Sequence, residues 1–130
     1  MTNANRTTMA AILAMWHGAS TDGLPDLLGG DYRGHVLGTP GAERDGPAYP
    51  GSIARYREAV PGVRFDIVEQ FDAPGRLVTR LEATRPGAAG APSATSHGMN
   101  ISSFDAAGRL TEEWAIWSPW QDQVGPATPT

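Results

Sequence analysis

The sequence contains no cysteine and no lysine in its 130 residues. The lack of cysteine excludes disulfides, thiolate nucleophiles and cysteine-ligated metals. The ten basic residues are arginines, no basic run is longer than two residues, and the net charge is −4. A protein with this charge pattern has no surface suited to the phosphate backbone, so we expect no nucleic-acid partner.

Long hydrophobic runs are also missing. The longest, Met9–Trp16, is far shorter than the roughly 20 residues that a membrane-spanning helix needs. We therefore expect no membrane partner and a cytoplasmic location. The apolar residues of this run follow the spacing i, i+3, i+4, i+7, which predicts an amphipathic helix from Thr7 or Thr8 to about Gly18. They are Met9, Ile12, Leu13 and Trp16.

Turn and cap signals divide the next fifty residues. A short helix around residues 24–28 is predicted to end at the Gly29-Gly30 pair, and a strand is predicted over Tyr32–Leu37. The segment Gly38–Gly51 reads as a long loop, of the kind that often binds ligands or forms a lid. Ser52 is placed to cap a third helix that ends before Pro61-Gly62.

From Val63 onward the hydrophobic period changes from helical to two. Alternation predicts long strands that begin at Val63, Leu77, Thr95 and Leu110, separated by turns rich in Asp, Gly and Pro. Helices followed by a meander of strands are typical of an α+β domain with helices on one face of a curved sheet. We expect this domain to span residues 7–121, with flexible ends at 1–6 and 122–130.

Three segments resemble the SnoaL-like polyketide cyclases of the nuclear transport factor two-like superfamily. They are "AMWHGASTDGLPDLLGGDYRGH", "RYREAVPGVRFDIVEQFDAPGRLVTRLEAT" and "HGMNISSFDAAGRLTEEWAIW". The resemblance implies a cone-shaped barrel, with a curved antiparallel sheet wrapped around the N-terminal helices. It also implies a pocket for a small molecule, frequent homodimers and a role in bacterial secondary metabolism such as antibiotic biosynthesis. The same scaffold hosts several reactions and non-enzymatic binders.

The sequence departs from the family pattern at two places. Ser118 stands where polyketide cyclases usually carry an aspartate, four residues after Trp114. Arg85 follows Thr84 where many relatives have a Thr-His pair. A serine hydroxyl without a strong base beside it cannot transfer protons near neutral pH as a carboxylate can. These departures put the usual aldol-type mechanism in doubt.

Strand alternation assigns the residues expected to bind substrate. Side chains two residues apart share a face of a strand, and the resemblance places the face that carries Trp114 in the pocket. Tryptophan is frequent in this small chain, and indoles that line a pocket suit a planar or polycyclic ligand. The residues expected to bind substrate are Trp16, Tyr32, Tyr49, Glu112, Trp114, Ile116, Trp117 and Ser118.

Four residues are expected to carry the chemistry. His35, or His97 if it faces inward, is predicted to act as acid and base, because histidine titrates near neutral pH. Arg80 or Asn100 is predicted to stabilise negative charge on oxygen. A structural ion pair of Arg80 with Glu82 or Glu112 is the alternative for that arginine.

No metal or cofactor is expected, because the sequence has neither a metal-ligand motif nor a glycine fingerprint after a strand. The sequence thus favours a cofactor-independent cyclase or isomerase that acts on a polyketide-like or polycyclic molecule. The alternatives are a non-catalytic binding domain of the same fold and an epoxide hydrolase or dehydratase. An epoxide hydrolase would need an Asp-Arg-Asp cluster, which is not found at convincing positions.

Overall fold

The computed structural model describes residues 3–39 and 42–122. In chain order these form α1 (Asn3–Trp16), α2 (Leu24–Leu27), β1 (Leu28–Val36), β2 (Arg44–Asp45), α3 (Tyr49–Ala59), β3 (Arg64–Ala73), β4 (Arg76–Arg85), β5 (Ala94–Phe104), β6 (Leu110–Trp117) and β7 (Gln121–Asp122). No helix in this part of the chain is both long enough and apolar enough to span a bilayer.

The strands form one curved sheet that does not close on itself, in the order β2-β1-β6-β5-β4-β3, with β7 paired to β5. Strands β3 to β6 are a meander of antiparallel neighbours, and β1 runs parallel to β6. The prediction of an α+β fold with a curved sheet and few helices is therefore confirmed.

The helices cover one face of the sheet, which we call the inner face. Ile12 and Met15 of α1 belong to a buried cluster with Leu77 of β4 and Leu110 of β6. A second cluster around Phe65 and Ala83 packs against several aromatic side chains. Between these two clusters the helices stand away from the sheet, and this separation leaves room for the cavity described below.

Both long helices begin earlier than the cap signals predict. Helix α1 starts at Asn3, within the segment 1–6 that was predicted to be flexible, and Arg6 pairs with Asp72 of β3. The hydroxyl of Thr8 donates to the carbonyl of Gly108 across 2.7 Å. These two tertiary contacts attach the N-terminal part of α1 to the rest of the fold. Helix α3 starts at Tyr49, so Ser52 lies inside it rather than at its cap.

The region predicted as a second helix, a glycine stop and a loop is more sheet-like than expected. Strand β1 begins at Leu28, so Gly29-Gly30 lies within it. A Cβ at Gly29 would stand only 2.9 Å from Thr111 Cγ2, so the neighbouring strand leaves little room for a side chain there. Strand β2 lies inside the predicted loop and pairs with β1. Of the predicted flexible tail, residues 123–130 lie outside the described residues.

Candidate active site

A cavity of about 590 Å³ lies between the inner face of the sheet and helices α1 and α3. Four aromatic rings form one wall: Trp16 from α1, Tyr56 from α3, Phe65 from β3 and Trp117 from β6. Phe65 meets Trp16 and Trp117 edge-on, with ring centroids 5.9 Å and 5.7 Å apart. Rings arranged in this way present flat apolar surfaces to a ligand.

Gly98 of β5 allows the Trp117 indole to take its place in this wall. The two residues are paired across β5 and β6. A Cβ at position 98 would stand only 2.5 Å from Cε3 of the indole. The lack of a side chain therefore lets the ring lie across the neighbouring strand, as glycine in strands often permits.

A carboxylate, Glu113 of β6, also lines the cavity. Glu113 is only 3% exposed. Its Oε1 accepts hydrogen bonds from the Tyr32 hydroxyl and, at 2.8 Å, from Nη2 of Arg44. Its Oε2 accepts a bond from Nδ2 of Asn100 at 3.0 Å. These partners compensate a charge that would otherwise be costly to bury.

Arg44 is held beside this carboxylate by several contacts of its own. Its Nε donates to the Tyr32 hydroxyl at 3.1 Å. Its guanidinium carbon lies 4.0 Å from the centroid of the Tyr49 ring and 5.7 Å from that of Trp16. A guanidinium over aromatic faces is attracted by their negative π surface. Arg44 is therefore fixed in position at the wall of the cavity.

The two phenols beside Glu113 remain protonated. Burial, followed by the negative charge of Glu113, raises the pKa of Tyr32 and of Tyr49 well above the ordinary tyrosine value. Tyr49 also accepts a hydrogen bond from Nε1 of Trp16 at 3.3 Å. Both phenols can donate hydrogen bonds, but neither can act as a base near neutral pH.

A row of polar side chains crosses the sheet beneath the middle of the cavity. Asn100, Thr79 and Gln70 are paired in register on β5, β4 and β3 and line the cavity. Gln70 Nε2 donates to Thr79 Oγ1 at 3.2 Å, and Asn100 accepts a bond from the Ser102 hydroxyl. The cavity therefore offers hydrogen-bonding groups along its floor and rings at one end.

Five of the sequence-predicted site residues line this cavity, namely Trp16, Tyr49, Asn100, Trp117 and Ser118. Tyr32 lies immediately behind Arg44 and Glu113 and is fully buried. The Ser118 hydroxyl accepts a bond from the backbone N–H of His97 at 2.9 Å, so it holds two strands together. The roles of these residues in binding and catalysis stay predictions.

The prediction that Glu112, Trp114 and Ile116 face the pocket is wrong. Trp114 and Ile116 are 41% and 48% exposed on the opposite, outer face of the sheet. The cause is a register shift at the start of β6, where Ser103 pairs with Glu112 but Phe104 pairs with Leu110. Leu110 faces inward, and this irregularity then moves the inward parity to Glu113, Ala115 and Trp117.

Neither predicted histidine lines the cavity. His35 lies on the outer face, where Nε2 is 2.9 Å from Glu112 and the ring stacks on Trp114 at 3.8 Å. His97 is exposed on the same face, with Nδ1 3.9 Å from Glu82. The prediction of a histidine acid and base in the pocket is therefore corrected.

Arg80 likewise lies on the outer face. Its Nε donates to Glu69 at 2.8 Å rather than pairing with Glu82 or Glu112. Arg80 therefore neither lies in the pocket nor forms an ion pair with Glu82 or Glu112. Sequence reasoning missed Glu113 and Arg44. The Glu112-Glu113 doublet was the available signal for the first, since one of two neighbouring strand residues must face inward.

The fold is found in several solved structures. IdmH from Streptomyces antibioticus, described as a candidate polyketide cyclase, superposes with a TM-score of 0.72 at 20% identity over 87% of this chain and 91% of IdmH. A SnoaL-like polyketide cyclase from Agrobacterium tumefaciens gives 0.69 at 13% identity over 88% and 91% of the two chains. A candidate isomerase of the SnoaL-like family from the same organism gives 0.71 at 15% identity over 90% and 99%.

No protein-family model matches the sequence, and a comparison with curated proteins finds no match. At identities of 13–20% the structural likeness establishes the fold. The chain has the SnoaL-like fold, as the resemblance of its three sequence segments implies.

Proposed function

We propose that this protein is a cofactor-independent cyclase or isomerase of bacterial secondary metabolism that acts on a polyketide-like or polycyclic molecule in the cavity. The observation that carries the proposal is the Glu113–Arg44 pair, which lies at the wall of a cavity that is lined partly by aromatic rings. Burying such a pair is often no more stabilising than apolar packing would be. Charged groups held in a cleft in this way are candidates for catalysis.

The chemistry that suits this pair is removal of a proton from carbon next to a carbonyl group. Glu113 Oε2 accepts a hydrogen bond from Asn100 and is not the oxygen that Arg44 and Tyr32 bond, so we assign the proton to Oε2. As the proton moves to Glu113, the C–H electron pair forms the enolate, and Arg44 stabilises the negative charge on its oxygen.

Two outcomes follow from the enolate. In cyclisation its carbon forms a bond to a second carbonyl carbon, and the oxygen of that carbonyl takes the proton from Glu113. In isomerisation the proton returns to a different carbon. The ring wall around Trp16 and Trp117 would hold the substrate folded, and positioning of this kind contributes several kcal/mol to catalysis.

A non-catalytic binding domain is the second candidate function. It is favoured by the hydrogen bonds that Glu113 already accepts from Tyr32, Arg44 and Asn100, because these give the carboxylate a structural role without any substrate. It is also favoured by the positions of the histidines, none of which lines the cavity in the described part of the chain. No aspartate lines it there either, so nothing in the site supports the epoxide hydrolase alternative.

Glu113→Gln tests the proposal, with turnover measured on polyketide-like carbonyl compounds that the wild type converts. We expect kcat to fall by about 10²–10⁴, the usual contribution of a general base. Glu112→Gln is the matched control, because it removes the same charge from the adjacent, outward-facing residue. Full turnover by Glu113→Gln would contradict the assignment, and ligand binding without turnover by the wild type would favour the second candidate.

We also propose that two copies of the chain associate through the outer face of the sheet. Met99, Ile101, Trp114 and Ile116 are paired side by side on β5 and β6 and are 41–54% exposed. We call these four residues the outer apolar patch. Large exposed apolar surfaces on soluble proteins commonly mark interaction sites. A two-fold axis through the patch would bring it against itself, as symmetric dimers require.

A further inference from the structure

We propose that the cavity selects electrically neutral carbonyl compounds and rejects carboxylates, and that Glu113 sets this selectivity. The inference deepens the proposed function and rests on it only in taking this cavity as the ligand site. It concerns binding, so it can be tested without any knowledge of the reaction.

The first argument is the charge balance of the cavity wall. Two buried charged side chains line it among the described residues, Arg44 and Glu113, with 13% and 5% of their side chains exposed. They neutralise each other across 2.8 Å. Glu43 and Arg55 also line the cavity, but they are exposed and of opposite sign. The interior therefore has no net positive charge to offer an anion.

The second argument is which donors remain for a ligand. Nε and Nη2 of Arg44 are used by Tyr32 and Glu113. No acceptor within the described residues bonds Nη1, and no buried side-chain nitrogen there lacks a partner. Nη1 is therefore not fully buried, and because Arg44 lines the cavity we assign this N–H group to a ligand there. A carbonyl oxygen that accepts this N–H group leaves the Arg44–Glu113 pair intact.

The third argument is the cost of an added charge. A carboxylate bound at Nη1 would place a second negative group on the same guanidinium as Glu113. The cluster would then carry one uncompensated negative charge in a partly dry site, and like charges held together in this way are strongly unfavourable. A neutral ketone adds no charge. When a proton of the ketone moves to Glu113, the resulting enolate replaces the Glu113 carboxylate as the negatively charged partner of Arg44. The total charge of the cluster then stays at zero.

Binding of two naphthalene probes tests the selectivity. The probes are 2-acetylnaphthalene, which is neutral, and 2-naphthoate, which is a carboxylate of nearly the same shape. Quenching of tryptophan fluorescence reports binding, because Trp16, Trp117 and Trp120 line the cavity. At neutral pH and low salt we expect the wild type to bind the ketone at least about tenfold more tightly.

Glu113→Gln is expected to change this ratio. The amide still accepts hydrogen bonds from Arg44 and Tyr32, but the cluster now carries a net positive charge. The affinity for 2-naphthoate should rise about tenfold or more, while that for the ketone should change less than about threefold. Glu112→Gln, with the same change in overall charge, should behave as the wild type does.

The inference is overturned if the wild type binds 2-naphthoate as tightly as the ketone, or if Glu113→Gln leaves the ratio unchanged. It is equally overturned if neither probe binds at millimolar concentration. The comparison of probes on the wild type alone keeps the test decisive should Glu113→Gln fail to fold. Loss of turnover with the selectivity intact would count against the proposed reaction and leave this inference standing.

Discussion

Two arginine–glutamate pairs with the same N···O distance of 2.8 Å lie on opposite faces of one sheet. The Arg44–Glu113 pair on the inner face has side chains 13% and 5% exposed, whereas the Arg80–Glu69 pair on the outer face has side chains 48% and 44% exposed. Water and salt screen the outer pair, so it contributes little to stability or chemistry. The same two functional groups become reactive candidates only where the fold removes them from solvent.

Removing one arginine from each pair should give the largest difference in unfolding free energy between the two faces of the sheet. Arg44→Ala leaves a buried, uncompensated carboxylate and is expected to lower the free energy of unfolding by about 3–5 kcal/mol. Arg80→Ala is expected to lower it by at most about 1 kcal/mol. Urea denaturation of both variants measures the difference. Equal losses would mean that Glu113 is better solvated than its burial indicates.

The buried phenols should give a smaller effect that appears only at alkaline pH. Because the pKa of Tyr32 and of Tyr49 is higher in the folded than in the unfolded chain, the stability they contribute is complete below pH 10 and is lost as the pH rises above it. At one pH unit above its unfolded pKa, each tyrosine therefore lowers the free energy of unfolding by roughly 1.4 kcal/mol relative to neutral pH.

Absorbance at 295 nm checks this expectation, since it follows phenolate formation. Near pH 11 the tyrosines of the native protein should stay largely protonated, while those of the urea-unfolded chain ionise. Urea denaturation at pH 9 and pH 11 should show the accompanying loss of stability. Titration of the native tyrosines near pH 10 would contradict the burial of these two rings.

Ile116→Lys should have the smallest effect on folding and yet alter assembly. Since Ile116 is 48% exposed, we expect the monomer to lose less than about 0.5 kcal/mol of unfolding free energy. A charge in the outer apolar patch should nevertheless convert a dimer to a monomer in light scattering. Ala106→Lys adds the same charge at an exposed turn and should stay dimeric. A monomeric wild type would refute the proposed association.

The fold was predictable from sequence because its signals are local and repeated. The stripe from Met9 to Trp16 and the alternation within β4 and β5 each follow from one period. Element boundaries were less accessible: α1 begins at Asn3 because Arg6 reaches Asp72, a contact 66 residues away in the chain. No local cap signal carries that information.

The site was less predictable because it depends on one irregularity and one loop residue. The resemblance placed the face of Trp114 in the pocket, and alternation alone could not show the register shift near Leu110 that puts Glu113 on the inner face instead. Arg44 occupies a strand of only two residues within a glycine- and proline-rich segment, where no period exists to show its direction. Asn100, which was predicted to stabilise negative charge on oxygen, does line the cavity, and its role there stays a prediction.

The irregularity at the start of β6 has a consequence for how such a protein can diversify. Beyond it, one alternate set of side chains on β6 faces the cavity, and the other set lies on the outer face of the sheet. If Thr111 were instead absorbed into a regular alternation while Leu110 stayed inward, the two sets would exchange, and Glu113 would leave the interior. The presence or absence of a one-residue irregularity at a strand entrance can therefore decide which side chains form an interior, a change that would otherwise need several point substitutions.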